Sequence, residues 1–236
     1  MSWLTQLDLT LYRAIHVDLR REWLDPIAVV LTQSGLGHVQ FSALLLACLP
    51  PRRRWVAPTL ASAVLAAGFL VPPWQQMLPY QILVNGFGLA VLGMFAVSAL
   101  QMPLSRFAAA PLIAGIVSGI VRLGLVRLID RQRPSNLAIS QPLESAFGNS
   151  SFPSGHATTS FAIAFSLLFL TWRTDASWLG WLALTWAGFV GLSRGYVGVH
   201  WPSDIVAAAG LGLACAAAVH LAWTRAAQPA QENPGC

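Results

Sequence analysis

The chain has 236 residues, 56% of them apolar and 10% charged, with a formal charge of +5. All basic residues are Arg, spread over loops without a patch or interleaved aromatics, so the charge does not describe a nucleic-acid surface. No charged residue occurs between Arg54 and Arg106, and apolar runs of this kind exclude an ordinary soluble domain.

Leu4, Leu7, Leu11, Ile15 and Leu19 follow helical spacing, with Asp8, Arg13, Asp18, Arg20 and Arg21 between them. This predicts an amphipathic helix lying on a membrane, with His16 on its polar side and too much charge to span. Apolar segments follow at roughly 26–49, 55–72, 80–101, 106–128, 155–172, 178–193 and 203–224, each judged against the length a bilayer core needs. Pro72, Pro73 and Pro79 mark either a tight turn or a re-entrant hairpin between the second and third. The expected fold is all-α: a polytopic bundle of about six or seven transmembrane spans behind the interfacial helix. It forms one domain over 1–225, and the polar tail 226–236 is expected to be disordered. Trp172, Trp178 and Trp201 suit an interfacial belt. Cys48, Cys215 and Cys236 lack the spacing of a metal site or disulfide framework and read as small buried hydrophobes and a tail thiol. No signal-peptide pattern opens the chain, so insertion is expected to use the internal segments.

With so few charges, their placement is informative. Three clusters stand at the ends of apolar segments: Arg131-Gln132-Arg133-Pro134, Pro153-Ser154-Gly155-His156, and Ser193-Arg194 with His200 and Asp204. Alternating segments put Arg52, Arg53, Arg54, Arg106, Arg173 and Arg225 on one side, cytoplasmic by the positive-inside tendency. The three clusters then meet on the opposite, outer face.

The residue types suit phosphate chemistry. His200 and Asp204 are i,i+4, a spacing at which a carboxylate reaches one imidazole nitrogen and raises the basicity of the other. An imidazole oriented in this way can attack phosphorus. Arg194 and Arg133 offer planar forks to phosphate oxygens. Ser154 and Gly155 open an apolar helix whose N-terminal N–H groups attract anions, and His156 is placed to protonate a leaving oxygen. Each cluster taken singly has an ordinary explanation: a turn before a helix, a membrane boundary, a capping pair. It is their joint occurrence on one face that points to an anion site.

At these residues the sequence resembles the type-2 phosphatidic acid phosphatase (PAP2) family. The family pattern is Lys, six residues and Arg-Pro; then Pro-Ser-Gly-His; then Ser-Arg, five residues, His, three residues and Asp. The second and third parts are complete here, and the resemblance covers roughly 106–224, the expected catalytic core. It implies a membrane lipid phosphatase in which His200 is the nucleophile, Asp204 orients it and His156 is the general acid. Arg133, Ser154, Gly155 and Arg194 would hold the phosphate, without metal or other cofactor. Loop 135–152 joins two clusters and is placed to cover a headgroup.

The first part departs from the pattern, with Val126 at the Lys position. Arg127 lies one residue on, a helical rotation of about 100°, and Arg131 is i,i+4 from Arg127. Either is a candidate for the missing cation, and Arg127 equally reads as a snorkelling residue. Arg122 lies deeper, where an intramembrane Arg is a functional candidate by default and where a pair with a backbone carbonyl would explain it too. A lipid-to-lipid phosphotransferase using the same site is the enzymatic alternative. A catalytically silent lipid-binding homologue is the other, supported by the missing Lys alone. Partners are expected to be a lipid phosphate and the bilayer, with no nucleic acid.

Overall fold

The structure is a computed structural model that describes residues 3–37, 39–41, 44, 106–144 and 150–226. The predicted segments 55–72 and 80–101, Arg52 to Arg54, His38, Cys48, Cys236 and the tail from 227 lie outside the described residues. Every regular element among those described is a helix, with a single isolated bridge between Gln132 and Ser150. The order is α1 (Trp3–Tyr12), a wide helical turn (Arg13–Asp18), α2 (Asp25–Ser34), α3 (Arg106–Leu128), α4 (Gly155–Thr171), α5 (Ser177–Tyr196) and α6 (Pro202–Ala226).

Helix α4 is the centre, packed on α3, α5 and α6. Ala110 and Ala114 of α3, Ala162 of α4, and Ala216 and Val219 of α6 form a small-residue core, rimmed by Phe165, Phe169 and Trp223. Small side chains let these helices approach closely, as membrane-helix packing favours. Gly212 shows the closeness: a Cβ there would lie 2.8 Å from the Ala162 backbone nitrogen. Cys215 is buried in the same helix as expected.

The outer faces are apolar. Ile113, Ile116 and Ile120 of α3, Trp178, Trp181 and Phe189 of α5, and Val206 and Leu213 of α6 are all exposed. Among the described residues two helices, Ala109–Leu128 and Pro202–Ala226, are long and apolar enough to cross a membrane. Helix α4, at 17 residues, is apolar but shorter.

The first helix turns out to be the reverse of an ordinary amphipathic helix. Asp8, Tyr12 and His16, spaced by four, are buried, whereas Leu4, Leu7 and Leu11 point outward. His16 Nδ1 donates to Tyr196 O at 2.7 Å, and its Nε2 accepts the Gln141 N–H at 3.1 Å. Above it Gly198 has φ +86, and a Cβ there would lie 2.6 Å from His16 Cε1, so only glycine fits.

Helices α3 and α5 end, and α4 and α6 begin, at the end of the bundle that α1 covers. All three charged clusters are therefore neighbours.

Candidate active site

The site grows out of how α6 starts. Pro202 suits the first helical position, but Trp201 before it has no side-chain acceptor with which to cap the helix. Two carboxylates do this instead. Asp204 Oδ2 reaches back to the Trp201 N–H at 2.9 Å, the return half of a capping box. Asp8, from the other end of the sequence, accepts the Ser203 N–H at 2.9 Å and its hydroxyl at 2.6 Å. The helix start is thereby fixed, and with it the position of the loop carrying His200.

His200 is 2% exposed. Its Nδ1 donates to Ser151 O at 2.8 Å, which leaves Nε2 as the acceptor, 3.2 Å from Arg133 Nη1. Asp204 Oδ2 is 3.6 Å from Nδ1, beyond a hydrogen bond. The i,i+4 contact expected from the sequence is thus relayed: the Ser151 hydroxyl donates to Asp204 Oδ2 while its carbonyl holds the imidazole. The physical reason is competition, since the carboxylate is already engaged by the Trp201 N–H and by Arg131. Burial, with Arg194 and Arg133 adding to it against the pull of Asp204, lowers the His200 pKa to about 4. The imidazole is neutral at physiological pH.

Arg133 is buried and also donates to Val199 O at 2.9 Å. Burial first, then the neighbouring cations Arg194 and Arg122, lower its pKa to about 10, still charged at pH 7. Arg194 is buried as well, and donates to Glu144 Oε2 at 2.6 Å and Thr32 Oγ1 at 2.8 Å. Its Nε has no partner among the described residues. Ser154 precedes α4 in an extended conformation without capping it, and its buried Oγ also lacks a partner. Gly155 is the first residue of α4 and His156 the second, its Cβ facing Gly35 beyond α2.

Arg133, Arg194, His200, Asp204, Ser154, Gly155 and His156 thus lie at one end of the bundle. The two Lys substitutes do not join them in the same way. Arg127 is exposed. Arg131 is spent on Asp204, Asp8 and Ser203, at 2.5, 2.5 and 2.7 Å, beneath the Trp201 ring. Four residues were missed: Asp8, Ser151, Glu144 and Thr32. Asp8, Tyr12 and His16 form a polar stripe with the pattern of a buried face, a signal the sequence carried. Ser151 and Glu144 gave none, because a loop has no period to read.

The sequence model of the PAP2 superfamily matches residues 103–227, and the chain belongs to that superfamily. It is 34% identical over 104 residues to the lipid A 1-phosphatase of Rhizobium etli, covering 41% of this chain and 42% of that protein. It is 32% identical over 111 residues to the putative undecaprenyl-diphosphatase YbjG of Escherichia coli, covering 47% and 54%. The chain therefore spans about half the length of the curated relatives it matches. The crystal structure of LpxE from Aquifex aeolicus shares the fold, with a TM-score of 0.58 at 19% identity, over 91% of this chain and 95% of that one.

Proposed function

We propose that this protein is a membrane phosphatase that hydrolyses a lipid phosphate monoester or diphosphate through a phosphohistidine on His200. The observation that carries the reading is the state of that imidazole. It is neutral, pinned through Nδ1 by Ser151, and presents the Nε2 lone pair to a buried guanidinium.

The chemistry follows from those positions. Nε2 attacks phosphorus and the bond from phosphorus to the lipid oxygen breaks, with His156 giving that oxygen a proton. The imidazole ring becomes cationic, and Ser151 O with Asp204 behind it stabilises that charge. Arg133, Arg194 and the N–H groups opening α4 neutralise the equatorial oxygens. Water then attacks the phosphohistidine and gives its proton to His156. The phosphorus–nitrogen bond breaks, phosphate leaves, and Nε2 recovers its lone pair.

An apolar body with a polar site at its rim suits a substrate whose tail stays in the bilayer. The matched relatives, a lipid A 1-phosphatase and a putative undecaprenyl-diphosphatase, support that class. Arg placement supports an outer-face site, accessible from the periplasm if the source is bacterial. Cysteines introduced in loops 135–152 and 173–177 test this: an impermeant reagent added outside should label only the first.

The decisive assay is phosphate release from a panel of lipid phosphates in detergent with EDTA present. Wild type should release phosphate without added metal, and His200→Ala should lose on the order of 10⁴-fold. Unchanged release by the variant, or a requirement for magnesium, would sink the mechanism.

A further inference from the structure

The first motif lacks its Lys, and neither replacement suggested by the sequence faces the site freely. We infer that Arg122 supplies this cation, binding the substrate phosphate across Gly155 from one helical turn before the vacant motif position. The inference rests on the phosphatase reading and identifies one more phosphate-binding residue within it.

Register is the first argument. Val126 holds the Lys position, and Arg122 is i−4 from it, on the same face of α3. Arg127, by contrast, is rotated about 100° away and is exposed. The second argument is where the guanidinium lies. A Cβ on Gly155 would stand 3.3 Å from both Arg122 Cζ and Nε and 3.7 Å from Nη1. Nε donates to Pro153 O at 3.3 Å. The planar group therefore rests on the backbone that opens α4, and the glycine of the Pro-Ser-Gly-His motif leaves the room it occupies.

The third argument is charge. The start of α4 is the positive end of a helix dipole, and Arg133, Arg194 and Arg131 are further cations at this end of the bundle. No carboxylate pairs with Arg122 among the described residues, whereas Arg194 has Glu144 and Arg131 has Asp8 and Asp204. A half-buried guanidinium in such company is costly unless an anion completes the cluster. Arg122 also lowers the Arg133 pKa, so the two guanidiniums feel each other's charge. Two further buried donors at this end, Ser154 Oγ and Arg194 Nε, lack a partner among the described residues. Among the described residues, a bond to one backbone carbonyl through Nε leaves both terminal nitrogens for phosphate oxygens, the bidentate use to which Arg is suited.

The test uses the full chain in detergent, with Arg122→Met, Arg122→Lys and Arg127→Ala beside the wild type. KM and kcat for a lipid phosphate, inhibition by orthovanadate, and melting temperature without ligand are read for each. Arg122→Met should raise KM and the vanadate inhibition constant by about 10–100-fold, the loss of one or two charge-assisted hydrogen bonds. Arg122→Lys should recover most of that. Wild-type constants in a folded Arg122→Met overturn the inference alone, because phosphate release by the wild type keeps the phosphatase reading intact. Loss in Arg127→Ala with Arg122→Met unaffected overturns it in favour of Arg127. Should Arg122→Met fail to fold, Arg122→Lys decides. Constants near the wild type support the cation, and a loss above about 100-fold assigns Arg122 to holding Pro153 in place. A wild type that neither releases phosphate nor responds to orthovanadate removes the phosphatase reading itself.

Discussion

Asp8 in the first helix and Asp204 in the last share one guanidinium, Arg131, which donates to each at 2.5 Å. The N-terminal segment is thereby tied to the carboxylate that stands behind His200. Since Asp8 also caps α6, it acts on the site at two points without touching the reacting atoms.

Asp8→Asn keeps the side-chain shape and removes the charge. It should cost about 1–3 kcal/mol of stability and lower kcat about tenfold or more, with KM little changed. A melting curve and steady-state kinetics on one preparation separate the two effects. A purely structural Asp8 would lower the melting temperature and leave kcat of the folded fraction unchanged.

Ser151 divides its work between backbone and side chain. Ser151→Ala removes the hydroxyl that links Asp204 to the imidazole, while the carbonyl still holds Nδ1. The expected outcome is a fall in kcat of about 10–100-fold, one buried hydrogen bond to a charged group, with KM near the wild type. A loss as deep as that of His200→Ala would show that the hydroxyl, and not the carbonyl, orients the ring.

The low pKa of His200 sets the acid side of the pH profile. On the proposed mechanism neutral imidazole is the reactive form, so the His200 contribution to kcat/KM should hold as pH falls from 7 and be lost only through about pH 4. Stability behaves differently. Between the unfolded value of 6.5 and about 4 the unfolded chain binds the extra proton, so the His200 contribution is present above pH 6.5 and lost on acidification through that window. His200→Gln should flatten that part of the stability curve, as followed by thermal melts from pH 7 to pH 4. An acid limb in kcat/KM near 6.5 that disappears with no other change would mean that the ring is solvated and unperturbed.

Glu144 pairs with Arg194, so on the proposed function it would compete with phosphate for that guanidinium. Its Oε2 holds the guanidinium at 2.6 Å, and Gln33 Nε2 holds its Oε1 at 2.6 Å. Glu144→Gln keeps a hydrogen-bonding group there and removes the anion. Inorganic phosphate should then inhibit about 3–30-fold more strongly, reflecting one charge-assisted contact released. Weaker inhibition would instead make Glu144 the residue that keeps Arg194 in its binding position.

The sequence by itself determined the all-helical class, the two complete motifs, and the bringing together of the three clusters at one end. These are properties of composition, spacing and alternation, and each is readable wherever a periodic element runs. Helix α3 ends before Arg131 and α4 begins at Gly155, and alternation alone makes their charged ends neighbours. Tertiary structure decided which groups pair. The contact between His200 and Asp204 became a relay through Ser151 because the Trp201 N–H and Arg131 already claim the carboxylate. Arg131 is paired with Asp204 and with Asp8, a residue whose distance in sequence hides its proximity in space. Arg122, which the sequence leaves as either a functional candidate or the partner of a backbone carbonyl, lies over Gly155 with its Nε on Pro153 O. Local spacing fixes which face a side chain starts from. Competition among buried charges for a limited set of partners decides where it ends.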